Sequence, residues 1–80
     1  MLDCKTIDAK VGHLDVKVLV ELHEQWWLGV YYKMTVKMSA FPNQVYSIKG
    51  DYYIVRLAFD SFNVETANKM AENASKIVYW

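Results

Sequence analysis

The stretch Trp26-Trp27-Leu28-Gly29-Val30-Tyr31-Tyr32-Lys33-Met34-Thr35-Val36-Lys37-Met38 decides the fold class. Every even position from 26 to 38 is apolar or aromatic, and the odd positions hold Trp27, Gly29, Tyr31, Lys33, Thr35 and Lys37. Successive side chains of a strand point to opposite faces, so this period of two predicts extended chain with one buried face. The run is long for a single strand, and Gly29 is where a bulge or bend is expected.

Working outward, Val16, Val18, Val20 and Leu22 alternate with Lys17, Leu19, Glu21 and His23, which predicts a second strand rich in β-branched residues. Ile7, Ala9 and Val11 alternate with Thr6, Asp8 and Lys10 as a short edge strand, and Gly12-His13 separates the two. On the other side, Phe41-Pro42-Asn43-Gln44 ends the central run, residues 45–48 form a brief strand, and Lys49-Gly50-Asp51 marks a turn. In 52–59, Tyr53, Val55, Leu57 and Phe59 share one face of a strand, while Tyr52, Ile54 and Ala58 make its other face apolar too. Such a strand is expected at the centre of a sheet or covered on both faces.

The period then changes. Asn63 is placed to cap a helix, Glu65 suits its first turn, and Val64, Ala67, Met70, Ala71, Ala74, Ile77 and Val78 recur at helical spacing. Tyr79-Trp80 would anchor the helix end or protrude. The expected fold is α+β: an antiparallel β-meander of four to five strands (5–11, 15–23, 26–39, 45–48, 52–59). One C-terminal α-helix (64–78) packs on one face, within a single domain spanning 1–80. The even face of the central strand is expected to meet the Ala/Met/Ile stripe of that helix.

Composition narrows the function classes. Eighty residues with 54% hydrophobic and 15% aromatic content describe an ordered chain, and one this short buries only about 60% of its unfolded surface. Some apolar surface is therefore expected to face a partner or a second copy, and a homodimer fits this. Nine basic and nine acidic residues leave a formal net charge of zero, without the overall basic excess of a non-specific nucleic-acid binder. Cys4 is the only cysteine, which excludes an internal disulfide and a cysteine-rich zinc site. Asp3 precedes any apolar run, and the longest such run (26–32) is too short to cross a bilayer, so the expected location is cytoplasmic. Asn73-Ala74-Ser75 reads as a chance sequon.

No constellation supports catalysis. His23-Glu24 opens like a zinc-protease motif, but Trp27 stands where the second histidine belongs. His13 and His23 would need to meet across a hairpin, with Glu21 nearby, to share a metal, and a solvated polar edge is the simpler reading. Cys4 lies near the terminus without a defined base, and no serine has the context of a catalytic triad. Asp51, Asp60, Glu21 and Glu24 are explained by turns, caps and strand polarity. No glycine-rich loop precedes a helix to cradle a phosphate. Neither a metal nor another cofactor is expected, and the chain is expected not to be an enzyme.

What remains is the odd face of the central run. Trp27, Tyr31, Lys33 and Lys37, joined by Tyr52, form the candidate partner-binding set, because exposed Trp and Tyr are enriched at interaction hot spots. Packing of these aromatics across strands against Leu19 or Tyr52 is the simpler structural account. The expected function is a small non-enzymatic protein-binding module, an inhibitor or accessory protein. Its size and plainness suit the phage or mobile-element type that blocks a larger host defence or nucleic-acid machine. One alternative is a single-stranded nucleic-acid binder. It draws on the aromatic/lysine face and on Lys49-Gly50-Asp51-Tyr52-Tyr53-Ile54-Val55, a partial echo of RNA-recognition strands. The other alternative is a small-ligand or enzymatic domain, which would need a cleft with convergent polar groups.

Overall fold

The computed structural model describes residues 1–26 and 29–78. Its elements are β1 (Asp3–Val11), β2 (Leu14–Gln25), β3 (Tyr31–Met38), β4 (Val45–Gly50), α1 (Tyr52–Ser61) and α2 (Val64–Val78). Among the described residues the strands form one antiparallel sheet in the order β1-β2-β3-β4, so neighbours in sequence are neighbours in space.

Pattern and turn chemistry agree in the first hairpin. Val11 pairs with Leu14, leaving Gly12 and His13 as a two-residue loop. Gly12 has φ +60, the left-handed backbone that the hairpin turns matched to strand twist require. The register then lines up Ile7 with Val18, Ala9 with Val16, and Val20 with Val36. Val16, Val18, Val20, Leu22, Met34, Val36 and Met38 thereby share one face, and all are buried. Both helices contribute to the same core, through Val55 and Phe59 of α1 and Ala67, Ala71 and Ala74 of α2.

The segment 52–59, expected as a strand, is helical. Asp51 caps it, its carboxylate accepting the Ile54 N–H at 3.0 Å. Only two of the four alternating apolar residues are buried. Val55 is 0% and Phe59 4% exposed, whereas Tyr53 is 83% and Leu57 68% exposed. The buried pair is four apart, one turn of helix. Coverage explains the outcome. At about 1.5 Å per residue the 15-residue α2 reaches about 22 Å, whereas the 12-residue β2 reaches about 40 Å at about 3.3 Å per residue. A single helix of that length packed over β1 leaves apolar rows of β2 and β3 without cover, and the 10-residue α1 supplies it. A fifth strand would have widened the sheet and left Leu22 and Met34 uncovered.

The helices accordingly divide the sheet: α1 lies over β2, β3 and β4, and α2 over β1. The even face of β3 thus meets α1, not the alanine stripe of α2 as expected. Asn63 caps α2 as its sequence predicts, accepting the Thr66 N–H at 3.1 Å. Three alanines form the contact stripe, whereas Val64 and Ile77, assigned to it by spacing, are exposed. Lys5 donates to the Phe59 carbonyl near the C-terminal end of α1, where a cation suits the helix dipole.

The strand expected over 26–39 starts at Tyr31, because β2 runs on to Gln25 and pairs there with Tyr31. Gly29, at φ +120, lies in the link between them, so the expected bend becomes a connection between strands. Trp26 and Val30 are exposed instead of buried. Leu28, Trp27 and the terminal Tyr79-Trp80 lie outside the described residues.

Candidate partner-binding face

With both helices on one side, the opposite face of the sheet is open among the described residues. The register places Cys4, Thr6, Asp8 and Lys10 of β1 on it, facing Glu21, Leu19, Lys17 and Asp15 of β2. His23 and Gln25 extend the β2 row and face Lys33 and Tyr31 of β3. Thr35, Lys33 and Lys37 in turn face Ser47, Lys49 and Val45 of β4.

The charges on this face are unevenly distributed. At the hairpin end, Lys17 meets Asp8 at 2.6 Å and Lys10 meets Asp15 at 3.7 Å, so the four charges cancel in pairs. The hydrogen bond and charge of Asp8 raise the Lys17 ammonium above its ordinary pKa. Toward the other end, His23, Lys33 and Lys49 lie in one row across three strands. The half-buried Glu21 beside them accepts from His23 at 3.4 Å and meets Lys37 at 3.7 Å. Lys33 and Lys49 oppose each other directly. Like charges in that position destabilise a sheet by about 0.2–1 kcal/mol.

Beside this row the Lys49 ammonium lies 5.7 Å from the centre of the Tyr31 ring, a cation–π arrangement. A shallow concavity of about 400 Å³ runs between the strands here, lined by Glu21, His23, Lys33, Thr35 and Lys37 among others. It continues toward a more apolar hollow around Leu19, Lys37 and Pro42.

Tyr31, Lys33 and Lys37 therefore share one face, as their spacing predicts. Trp27 lies outside the described residues. Tyr52 belongs to the opposite layer: it sits on α1 with its ring edge-on to Tyr32, centroids 5.1 Å apart. Sequence reading missed Lys49 and His23 as members of this set. Lys49 reads as turn punctuation until β4 runs through it to Gly50, and the alternation Val45-Ser47-Lys49 is the signal that could have recovered it.

His13 and His23 do not meet. His13 is in the hairpin turn and His23 near the far end of β2, about 30 Å along the strand. Among the described residues no group of three or more His, Cys, Asp or Glu is placed to hold a metal. Cys4 is exposed opposite Glu21. No described helix is long and apolar enough to cross a membrane. Compared with known proteins, the chain matches no family model, no curated protein and no solved structure, and the reading of this face rests on its own geometry.

Proposed function

We propose that the open face is a docking surface for an acidic region of another protein, and that the chain acts without catalysis, as an inhibitor or accessory module. The observation that carries this reading is the row His23–Lys33–Lys49, with Lys33 directly opposite Lys49. An isolated sheet has no use for like charges at that spacing, and a carboxylate-bearing partner would turn their repulsion into attraction. Tyr31 and the stems of the lysines supply apolar contact around the charges, the mixture of anchor and polar rim that protein interfaces use.

Single-stranded nucleic acid is the weaker reading. It too would find lysines here, but stacking needs free aromatic faces, and the Tyr31 ring already carries Lys49.

The test is affinity capture from the native host with mass spectrometry, run in parallel with the wild-type chain and a K33E/K49E variant. The reading predicts a protein retained by the wild type and lost by the variant, with both folded by circular dichroism. Equal capture by both removes this face from consideration. Binding of an oligothymidine strand that weakens steeply with salt would transfer the function to nucleic acid.

A further inference from the structure

The two edges of the sheet are not equivalent. Ser39 donates its backbone N–H to the Lys17 carbonyl at 3.0 Å, which puts the odd residues of β3 in the hydrogen-bonded pairs with β2. Because the direction of N–H and C=O alternates along a strand, the even residues of β3 bond to β4. In the β3–β4 register Tyr46, Ile48 and Gly50 then bond inward, and Val45, Ser47 and Lys49 turn their backbone groups to the open edge.

By the same alternation the outward residues of β1 are Cys4, Thr6, Asp8 and Lys10. That edge is guarded. The Cys4 N–H is taken by Asp3 Oδ1 at 2.8 Å, and the Lys10 N–H by Asn68 Oδ1 of α2 at 3.0 Å. Charged side chains add to the protection. No such cap reaches β4 among the described residues. Beside this edge lie exposed apolar side chains, Val45 and Ile48 on the strand and Ile54 on α1, the last packed close to Gly50.

We infer that the β4 edge pairs antiparallel with β4 of a second copy of this chain, centred on Ser47, joining two sheets into one. The edge is complementary to itself in that register. Ser47 faces Ser47 of the second copy, and Val45 faces Lys49, so each of the three outward residues donates one backbone hydrogen bond and accepts one. Charge agrees as well. Lys49 is the only charged residue of β4, and the register sets it against valine, not against its own copy. On the helix side Tyr46 faces Ile48 of the second copy, an aromatic–aliphatic cross-strand pair that covers exposed apolar surface. A pairing of this kind is isologous and closes at two chains. It uses the strand edge rather than the open face, and stands independently of the function proposed above.

The test is the molar mass of the full chain by light scattering and sedimentation equilibrium, for the wild type, S47P and T6P. Proline is tolerated on an edge strand where its missing N–H faces outward, and Ser47 and Thr6 are both such positions. The expected result is a wild-type dimer, retained in T6P, with the dissociation constant of S47P raised about tenfold or more. A separate trap reports the register without depending on the proline variants. In a C4S background, S47C should oxidise to a covalent dimer, since hydrogen-bonded antiparallel partners place Cα atoms about 5.5 Å apart. V45C alone should not cross-link. A monomeric wild type, an undiminished S47P dimer, or cross-linking of V45C in place of S47C would each overturn the proposal.

Discussion

The two faces of this sheet are made from the same strands and obey opposite rules. On the covered face Val16, Val18, Val20, Leu22 and Val36 have essentially no exposure and meet Val55, Phe59 and three alanines of the helices. On the open face Leu19 is half-buried among lysines, acids and Thr35. The covered face is uniform, because any unpaired charge there would carry a desolvation cost that packing could not offset. The open face tolerates a local defect, the opposed pair Lys33–Lys49, because solvent screens it. The difference teaches where selection for stability stops and where another requirement begins.

A matched substitution on one strand breaks the comparison most sharply. Leu22→Ala removes a fully buried side chain from under the helices and is expected to cost about 3 kcal/mol, read as a lowered denaturant midpoint. Leu19→Ala, three residues earlier on the opposite face, should cost well under half of that. Equal losses would mean that the open face is covered in solution.

Asp51→Ala probes the cover itself. Loss of the cap that receives the Ile54 N–H should lower stability by about 1 kcal/mol. Hydrogen exchange should rise first in α1, and an unchanged protection pattern would mean that α1 is held by packing alone.

Lys49→Thr works in the other direction. Removing one of two opposed cations should raise stability by about 0.5 kcal/mol in dilute buffer and by less in high salt. A loss of stability instead would show that the contact of Lys49 with Tyr31 outweighs the repulsion.

The smallest effect is expected at the neutral end of the same face. Asp8→Asn should bring the Lys17 ammonium back toward its ordinary value, observable in an NMR titration. The sign follows from the raised pKa. The pair's contribution is complete below the ordinary lysine value and disappears as pH rises through the folded-state value, so the variant should be slightly less stable than the wild type at neutral pH and the two should converge at alkaline pH.

Much of the fold is legible where one physical pattern dominates. Val16 to Leu22 alternate cleanly, Gly12 is where a tight hairpin needs positive φ, and Asn63 precedes an amphipathic run. Residues 52–59 are ambiguous in sequence because their apolar side chains satisfy both periods. Tyr53, Val55, Leu57 and Phe59 alternate as in a strand, while Val55 and Phe59 also lie one helical turn apart. Asp51 was the discriminating residue, a cap that resembles a turn residue when its partner is unknown. The candidate face was half legible: period two groups Tyr31, Lys33 and Lys37, but adding His23 and Lys49 requires the pairing register.

By itself, then, the sequence determined that four strands precede the helix α2 and how faces alternate within Val16–Leu22 and Tyr31–Met38, but not where β3 begins or that Val64 and Ile77 lie outside the α2 contact. These follow from alternation and capping, which act over a few residues. Tertiary structure alone decided that 52–59 folds back as α1, because the apolar rows of β2 and β3 need a cover beyond the helix that packs over β1. It also decided that Lys33 meets Lys49 and that β4 is the unguarded edge, since register and edge position arise from pairings between distant segments.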